Sequence, residues 1–292
     1  MFPSLFPRFA RQFMSAARIS PTALYTAQVW QESGRSVPEL ASLPAKALYT
    51  ALSPAMAMSR SFGGPTLQDF LLARHDLIDR QLHQAITSGK ATQVLEIAAG
   101  LSPRGSRFVQ EYGDDITYIE ADLPGMVAQK RKLLEQRLAV CPYHRIEVID
   151  AFATDGVHSL AGLAAQLDPE RGLVIITEGL LNYFDRASVL DLWTRVGQTL
   201  SGFQRGFYFS DLHFSSHNDD LLSRAFAAAL GAFVRGKIHL HFSSIGEVQQ
   251  LMQQRGLACE VLNPSDFAAE LASCTTAGAH LTRVLSASAM TY

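Results

Sequence analysis

The sequence predicts an α/β fold in which a largely parallel, doubly wound sheet sits behind a helical N-terminal cover. Three observations carry this expectation. From Ala91 onward, apolar runs of strand length alternate with helical stretches, as βαβ units do. Before that point, residues 21–89 read as helical and hold no strand candidate. The composition, 48% hydrophobic and 18% charged over 292 residues, suits a large core and excludes wholesale disorder.

The elements follow in order. Pro38, Pro44, Pro54 and Gly63-Gly64-Pro65 are expected to cut the first segment into short helices, leaving residues 67–85 as the longest uninterrupted one. Strands are expected at 93–98, 116–121, 145–149, 173–177 and 206–212. The helices between them fall at 104–112, 124–139, 156–167 and 186–200. A helical segment near 217–235 and a helix near 244–255 precede two last strands, near 257–262 and 281–287. The strands therefore number seven.

Charge and cysteine content narrow the function classes. Twenty-five Lys and Arg against 27 Asp and Glu give a net charge of −2, so no global cationic field attracts nucleic acid. Cys141, Cys259 and Cys274 are odd in number and lack CxxC spacing, which argues against a disulfide framework or a zinc knuckle and suits a reducing, cytoplasmic setting. The apolar stretch 226–234 is too short to cross a bilayer. Residues 1–31 contain no Asp or Glu, and Phe2, Phe6, Phe9 and Phe13 fall on one helical face beside Arg8, Arg11 and Arg18. Such a start reads as a helix packed on its own chain or on a second copy, as in a homodimer. A transit segment or a membrane-surface helix has the same pattern.

Four strand ends carry candidate chemistry. Val94-Leu95-Glu96-Ile97-Ala98-Ala99-Gly100 is an apolar strand running into small residues, where a backbone can approach a ligand closely. It lacks GxGxxG spacing, with Ala98 where a first glycine would stand. About twenty residues on, Glu120 and Asp122 are rivals for binding ribose hydroxyls. Asp150, Ala151 and Phe152 end the third strand, where a carboxylate can accept from an adenine amino group and a ring can cover the base. Glu178 ends the fourth. A carboxylate buried there needs a cationic ligand group or a nearby Arg as partner.

In combination and in this order, these segments resemble the leucine carboxyl methyltransferase family of class I S-adenosylmethionine-dependent methyltransferases. The bacterial branch, with its polyketide O-methyltransferases of tetracenomycin type, is the nearest in pattern. The stretch from Glu96 to Arg107 is similar to the family's NLGAGxDTRxxR, keeping both arginines but carrying Ala98, Ser102 and Pro103 in place of Gly, Asp and Thr. Glu120-Ala121-Asp122-Leu123-Pro124 with Lys130, Leu133 and Leu134 resembles EVDLPxxxxxKxxLL, and Glu178 to Phe184 resembles EGLLxYL. Upstream, Thr22, Ala23 and Ala27 fit TAxxxAxxR, with Trp30 for its Arg. Arg74 and Asp79 fit RTxxxD, with His75 for its Thr. The resemblance spans about residues 20–212.

The resemblance implies a Rossmann-like class I methyltransferase core at 91–292, with a helical insertion about 213–245 and a helical lid at 1–90. It implies S-adenosylmethionine as cofactor and a small-molecule acceptor, methylated on a carboxylate or a phenolic hydroxyl. Arg74 would grip the methionyl carboxylate. Gly100 and Ala98 would line the loop, and Asp122 or Glu120 would take the ribose. Asp150 to Phe152 would border the adenine, and Glu178 would face the cationic methionyl portion. Methyl transfer from a sulfonium is an in-line displacement that needs alignment and exclusion of water. A phenol acceptor also needs a base, and Tyr183 and His213, which follow the fourth and fifth strands, are the candidates. His239 and His241 lack a third ligand, so no metal is expected. Alternatives are a carboxyl methyltransferase acting on a peptide or protein C-terminus, a nicotinamide-dependent oxidoreductase, and a binding module without turnover.

Overall fold

The computed structural model describes residues 21–214 and 239–290. The N-terminal Phe stripe and the helix expected near 217–235 lie outside the described residues. Three helices open the described chain: α1 (Pro21–Glu32), α2 (Leu43–Ser61) and α3 (Leu67–Thr87). The start of α3 is fixed by a capping box. The Thr66 hydroxyl accepts from the Asp69 N–H at 3.3 Å, and the Asp69 carboxylate accepts from the Thr66 N–H at 2.8 Å.

Seven strands then form one sheet: β1 (Gln93–Ile97), β2 (Thr117–Asp122), β3 (His144–Val148), β4 (Leu173–Thr177), β5 (Gly206–Leu212), β6 (Leu257–Leu262) and β7 (Arg283–Ala289). Their spatial order is β3-β2-β1-β4-β5-β7-β6. The first five pair in parallel, and β7 lies antiparallel between β5 and β6. The connecting helices are α4 (Arg104–Tyr112), α5 (Pro124–Leu133), α6 (Glu135–Ala139), α7 (Leu160–Ala164), α8 (Arg186–Leu200) and α9 (Ile245–Gln253).

Strand alternation divides the core into two layers. On one face, Val94, Tyr118, Val174, Ile176, Phe209 and Val284 pack against Leu77, Ile78 and Leu82 of α3 and Phe108 of α4. On the other, Leu95, Ile119, Ile175, Tyr208 and Leu285 pack against α7, α8 and α9 through Leu163, Leu192, Trp193 and Val248. Because both faces are covered, β1 and β4 are buried along their whole length, and β4 reads as a nearly continuous apolar run.

Three expectations need correction. Pro54 does not end a helix, because α2 runs through it; one missing N–H and one displaced carbonyl perturb a helix without terminating it. The helix expected at 124–139 is broken at Leu134 into α5 and α6. The helix expected at 156–167 shrinks to α7, since Gly156 sits in a left-handed conformation with φ of 89°.

The chain turns from β1 outward through β2 and β3, then returns to place β4 and β5 on the other side. β1 and β4 therefore flank the topological switch point, where open α/β sheets leave a crevice beyond their carboxyl ends. The register aligns Ala121, Ile97, Thr177 and Ser210 in one row across four strands. The residues that follow this row are Asp122, Ala98, Glu178 and Asp211.

Candidate functional site at the carboxyl ends of the strands

The loop after β1 is shaped by two left-handed residues, Ala98 with φ of 55° and Gly100 with φ of 50°. Ala98 is the one non-glycine residue with positive φ among the described residues. A Cβ built on Gly100 would meet nothing within 4 Å, so the loop backbone faces open space. Asp122 ties the loop down: its Oδ2 accepts from the Gly100 N–H at 2.7 Å, and its Oδ1 accepts from Leu123 N–H at the same distance. Each oxygen keeps a second lone pair for a hydroxyl donor. Burial raises the pKa of Asp122, against the lowering effect of those two N–H groups.

Glu120 takes no part in this loop. It is fully buried, accepts from His144 Nε2 at 3.0 Å and pairs with the buried Lys130. A Cβ on Gly105 of α4 would fall 2.1 Å from Glu120 Oε1, so α4 closes directly over the carboxylate. Of the two rivals for the ribose, only Asp122 bonds the loop after β1. The ribose expectation for Glu120 is withdrawn.

Glu178 was expected to need a cationic ligand group or a nearby Arg, and the folded chain supplies arginines. Arg74 Nε lies 3.2 Å from Oε1, while Arg104 Nη2 at 2.5 Å and His75 Nδ1 at 2.9 Å contact Oε2. Burial acts to raise its pKa, but the charges of His75, Arg104 and Arg74 outweigh burial and hold the carboxyl far below the usual range.

Arg104 is the hub of this cluster. Its side chain has no exposure, and its Nε and Nη1 reach Asp79 at 2.5 Å and Glu96 at 2.6 Å. Tyr118 donates to the other oxygen of Glu96 at 2.6 Å. Asp79 also receives Arg107 at 2.8 Å. Burial raises the Asp79 carboxyl, and His75, Arg104 and Arg107 together bring it below its ordinary value. The sequence had flagged Arg104 and Asp79 only as matches to a pattern, and Glu96 not at all as functional. The readable signal was a lone Glu inside an otherwise apolar strand.

Arg74 stands at the edge of the same cluster. Its Nη1 reaches Asp211 Oδ2 at 2.7 Å, and Asp211 Oδ1 accepts from the Gly179 N–H at 2.6 Å. With Nε on Glu178, only Nη2 lacks a protein hydrogen bond among the described residues. A Cβ on Gly179 would sit 2.9 Å from that nitrogen, so the glycine leaves Nη2 its space. Of the guanidinium expected to grip a ligand carboxylate, Nη2 with its two N–H groups is the nitrogen left for it.

The remaining expected residues sit on the same rim. Asp150 Oδ1 accepts from the Phe152 N–H at 3.0 Å, closing a turn that carries Ala151. Phe152 packs edge-to-face on Phe184, with centroids 4.8 Å apart. Tyr183 is half-buried in the short turn that follows β4. His213 is half-buried just past β5, with Nδ1 at 2.8 Å from the Leu281 carbonyl. His239 and His241 stack on each other and bond backbone groups of Asn182 and Phe184.

The sheet order and the crevice define a Rossmann-like class I methyltransferase fold. Solved structures share it, two of them over nearly the whole chain. A DUF574 family protein from Streptomyces avermitilis MA-4680 is 15% identical, with a TM-score of 0.63 over 94% of this chain and 100% of that one. A structure described as a candidate methyltransferase from Thermobifida fusca YX is 12% identical, with a TM-score of 0.61 over 99% and 100%.

The chain belongs to the leucine carboxyl methyltransferase family, whose model matches residues 8–197. S-adenosylmethionine is the cofactor of that family. A candidate S-adenosyl-L-methionine-dependent methyltransferase of Frankia alni is 33% identical over 137 residues, 47% of this chain and 47% of the relative. One of Mycobacterium leprae is 32% identical over 106 residues, 36% of this chain and 34% of the relative. The matched stretches thus span less than half the length of either relative. The donor set fits the cofactor where it can be tested: open backbone at Gly100, a carboxylate with spare lone pairs at Asp122, and an unshared N–H at Arg74. Glu178 does not add to that set.

Proposed function

We propose that this protein transfers a methyl group from S-adenosylmethionine to an oxygen of a small molecule. The observation that supports the reading is that the Ala98–Gly100 loop, tied to Asp122, follows β1, while Arg74 reaches Glu178 and Asp211 just past the register row of β4 and β5, so the two lie at the carboxyl ends of strands on either side of the switch point. When bound, the cofactor supplies an activated methyl group on a sulfonium. Asp122 would accept from the ribose hydroxyls and Arg74 Nη2 would donate to the methionyl carboxylate. Asp150, Ala151 and Phe152 would border the adenine.

The chain's own contribution to rate is alignment and a dry site. The Arg104 cluster fixes the floor, since Asp79, Glu96 and Glu178 are all held by one guanidinium. Tyr183 and His213 are the side chains we assign to the acceptor side. An aromatic, polyketide-type acceptor suits the rings of Phe152, Phe184, Tyr183 and Phe70 around the rim. Residues 1–90 would act as the cover. The three free cysteines suit a cytoplasmic protein, and among the described residues no helix is long and apolar enough to cross a membrane.

Calorimetry with S-adenosylhomocysteine tests the reading. Saturable binding is expected, and no detectable heat at millimolar ligand overturns it. A mass-spectrometric screen of small-molecule extracts for products heavier by one methyl group then identifies the acceptor.

A further inference from the structure

None of the sequence motifs includes Asp211. On β5 it stands two residues past Phe209, so it lies on the sheet face that α3 covers. An apolar residue would suit that place, and a carboxylate only 2% exposed must be paired to stay charged. Both of its oxygens are engaged. Oδ2 accepts from Arg74 Nη1 at 2.7 Å, and Oδ1 accepts from the Gly179 N–H at 2.6 Å. One side chain thus joins β5, the loop after β4 and α3.

These contacts decide what Arg74 can offer a ligand. A guanidinium that faces one carboxylate pairs with it through two nitrogens. Nε of Arg74 already lies 3.2 Å from Glu178 Oε1. With Glu178 as sole partner, the group would turn a second nitrogen onto that carboxylate, and the nitrogen would be lost to a ligand. Asp211 opposes this turn. It draws Nη1 to a second carboxylate, so two anchors fix the group while Nη2 stays unshared among the described residues. Gly179 leaves Nη2 its space, since an added Cβ would lie 2.9 Å away, and it is the N–H of this same glycine that Asp211 holds. Asp211 therefore sets both the orientation of the nitrogen and the backbone beside it. The fold, not the ligand, freezes the rotamers of a long side chain, which is what preorganisation supplies.

We propose that Asp211 is a positioning residue: acting through Arg74 Nη2 and the Gly179 backbone, it makes the site selective for a cofactor that carries a free carboxylate on its amino-acid end. This rests on the methyl-transfer reading, in which Nη2 donates to the methionyl carboxylate. Asp211 itself touches neither the cofactor nor the reacting atoms.

The test measures binding of two unreactive ligands to the full chain by calorimetry. One is S-adenosylhomocysteine, and the other is its decarboxylated analogue, which keeps the adenosine, thioether and amine. Asp211 also faces His213, so turnover would mix two effects and binding is the cleaner readout. Wild type is expected to bind S-adenosylhomocysteine about tenfold or more tightly than the analogue, as a hydrogen bond to a charged group provides. Asp211→Asn keeps an acceptor for the Gly179 N–H but removes the charge that draws Arg74. It should weaken S-adenosylhomocysteine about tenfold and the analogue by less than about twofold, bringing the two affinities together. Asp211→Glu returns the charge on a longer arm and should recover part of the selectivity. On an Arg74→Lys background, Asp211→Asn should no longer change the ratio of the two affinities. Equal weakening of both ligands in Asp211→Asn makes the residue merely structural and overturns the proposal, as does an unchanged ratio. Failure of wild type to bind S-adenosylhomocysteine at millimolar ligand overturns the methyl-transfer reading itself. Equal affinity of wild type for the two ligands leaves that reading standing and overturns the role of Asp211. If both Asp211 variants fail to fold, nitrogen NMR of the wild-type Arg74 guanidinium, assigned by its loss in Arg74→Lys, decides. A rigid group whose Nη2 signal moves with S-adenosylhomocysteine and not with the analogue is expected. A freely rotating group, or an equal response to both ligands, overturns the proposal.

Discussion

Trp30 lies against His75, their ring centroids 4.8 Å apart with an interplanar angle of 43°. These are the two positions at which the chain departs from the upstream motifs it otherwise resembles, where Arg and Thr would stand. The two departures are thus one feature. An imidazole set between Asp79, Arg104 and Glu178 occupies the middle of the charged cluster, and a flat indole covers it from α1. Both Trp30 Nε1 and His75 Nε2 are buried without a hydrogen-bond partner among the described residues.

Residues in such contact should not mutate independently. His75→Thr and Trp30→Arg are each expected to destabilise the fold by about 1–3 kcal/mol, the range for disturbed buried polar groups. The double variant, which restores the motif at both positions, should lose less than the sum by about 0.5–3 kcal/mol. Urea unfolding of the four proteins reads this coupling. Additivity within about 0.3–0.5 kcal/mol would mean that the contact is incidental.

Acid should unfold this protein through the Arg104 cluster. The folded-state pKa values of Asp79 and Glu178 lie below their ordinary values of about 4. The unfolded chain therefore binds more protons in that range, and stability rises with pH across it. The contribution is fully present above the unfolded values and is lost as pH falls from about 5 through the folded ones. Urea midpoints measured between pH 3 and pH 7 should fall steeply at the acid end, and Glu178→Gln should flatten that slope. An equal slope in the variant would put the acid sensitivity elsewhere.

How much of this was legible in the sequence depends on the range of the interaction. β4 and β5 have the boundaries read from the chain; β4 is buried on both faces and leaves a nearly continuous apolar run, and β5 opens on a Phe-Tyr-Phe run. The bounds of α8 are likewise local. Glu120 was misplaced because its partners are Lys130 on α5 and His144 on β3, which periodicity does not connect. Which partner Glu178 takes was not readable for the same reason: the residues that contact it lie 74 to 104 residues away. A carboxylate at a strand end is visible in a sequence, but whether the fold has already neutralised it is not.

Ala98 should carry conformational strain. Its φ of 55° puts a Cβ in the left-handed region, which costs roughly 1–2 kcal/mol in an L-residue. Glycine removes that cost but gives back roughly 0.4–1 kcal/mol through the greater freedom of the unfolded chain. Ala98→Gly is therefore expected to stabilise the protein by up to about 1 kcal/mol. Gly100→Ala, at φ of 50°, should destabilise it by a similar amount. Thermal unfolding of both variants measures the pair, and a clear loss of stability in Ala98→Gly would show that its methyl packing outweighs the strain.

Arg74 carries two roles that a pair of substitutions separates. Its Nε and Nη1 hold Glu178 and Asp211, so their loss acts on the fold, while Nη2 alone is left for a ligand. Arg74→Ala leaves two buried carboxylates short of a cation and should lower stability by several kcal/mol, as removing one partner of a buried pair does. Arg74→Lys keeps a charge near both and should retain more of the stability. A hydrogen bond to a charged group contributes about 1.5–3 kcal/mol, so either variant should bind S-adenosylhomocysteine roughly tenfold to a hundredfold more weakly. Gly179→Ala attacks the same nitrogen without touching Arg74, since its Cβ would fall 2.9 Å from Nη2 at a backbone φ of 67°. It should weaken binding while leaving both carboxylate contacts in place. Calorimetry on folded protein, well below each variant's unfolding temperature, distinguishes the outcomes. If stability falls in Arg74→Ala but affinity holds in all three variants, Arg74 is a structural cation and Nη2 has no ligand to meet.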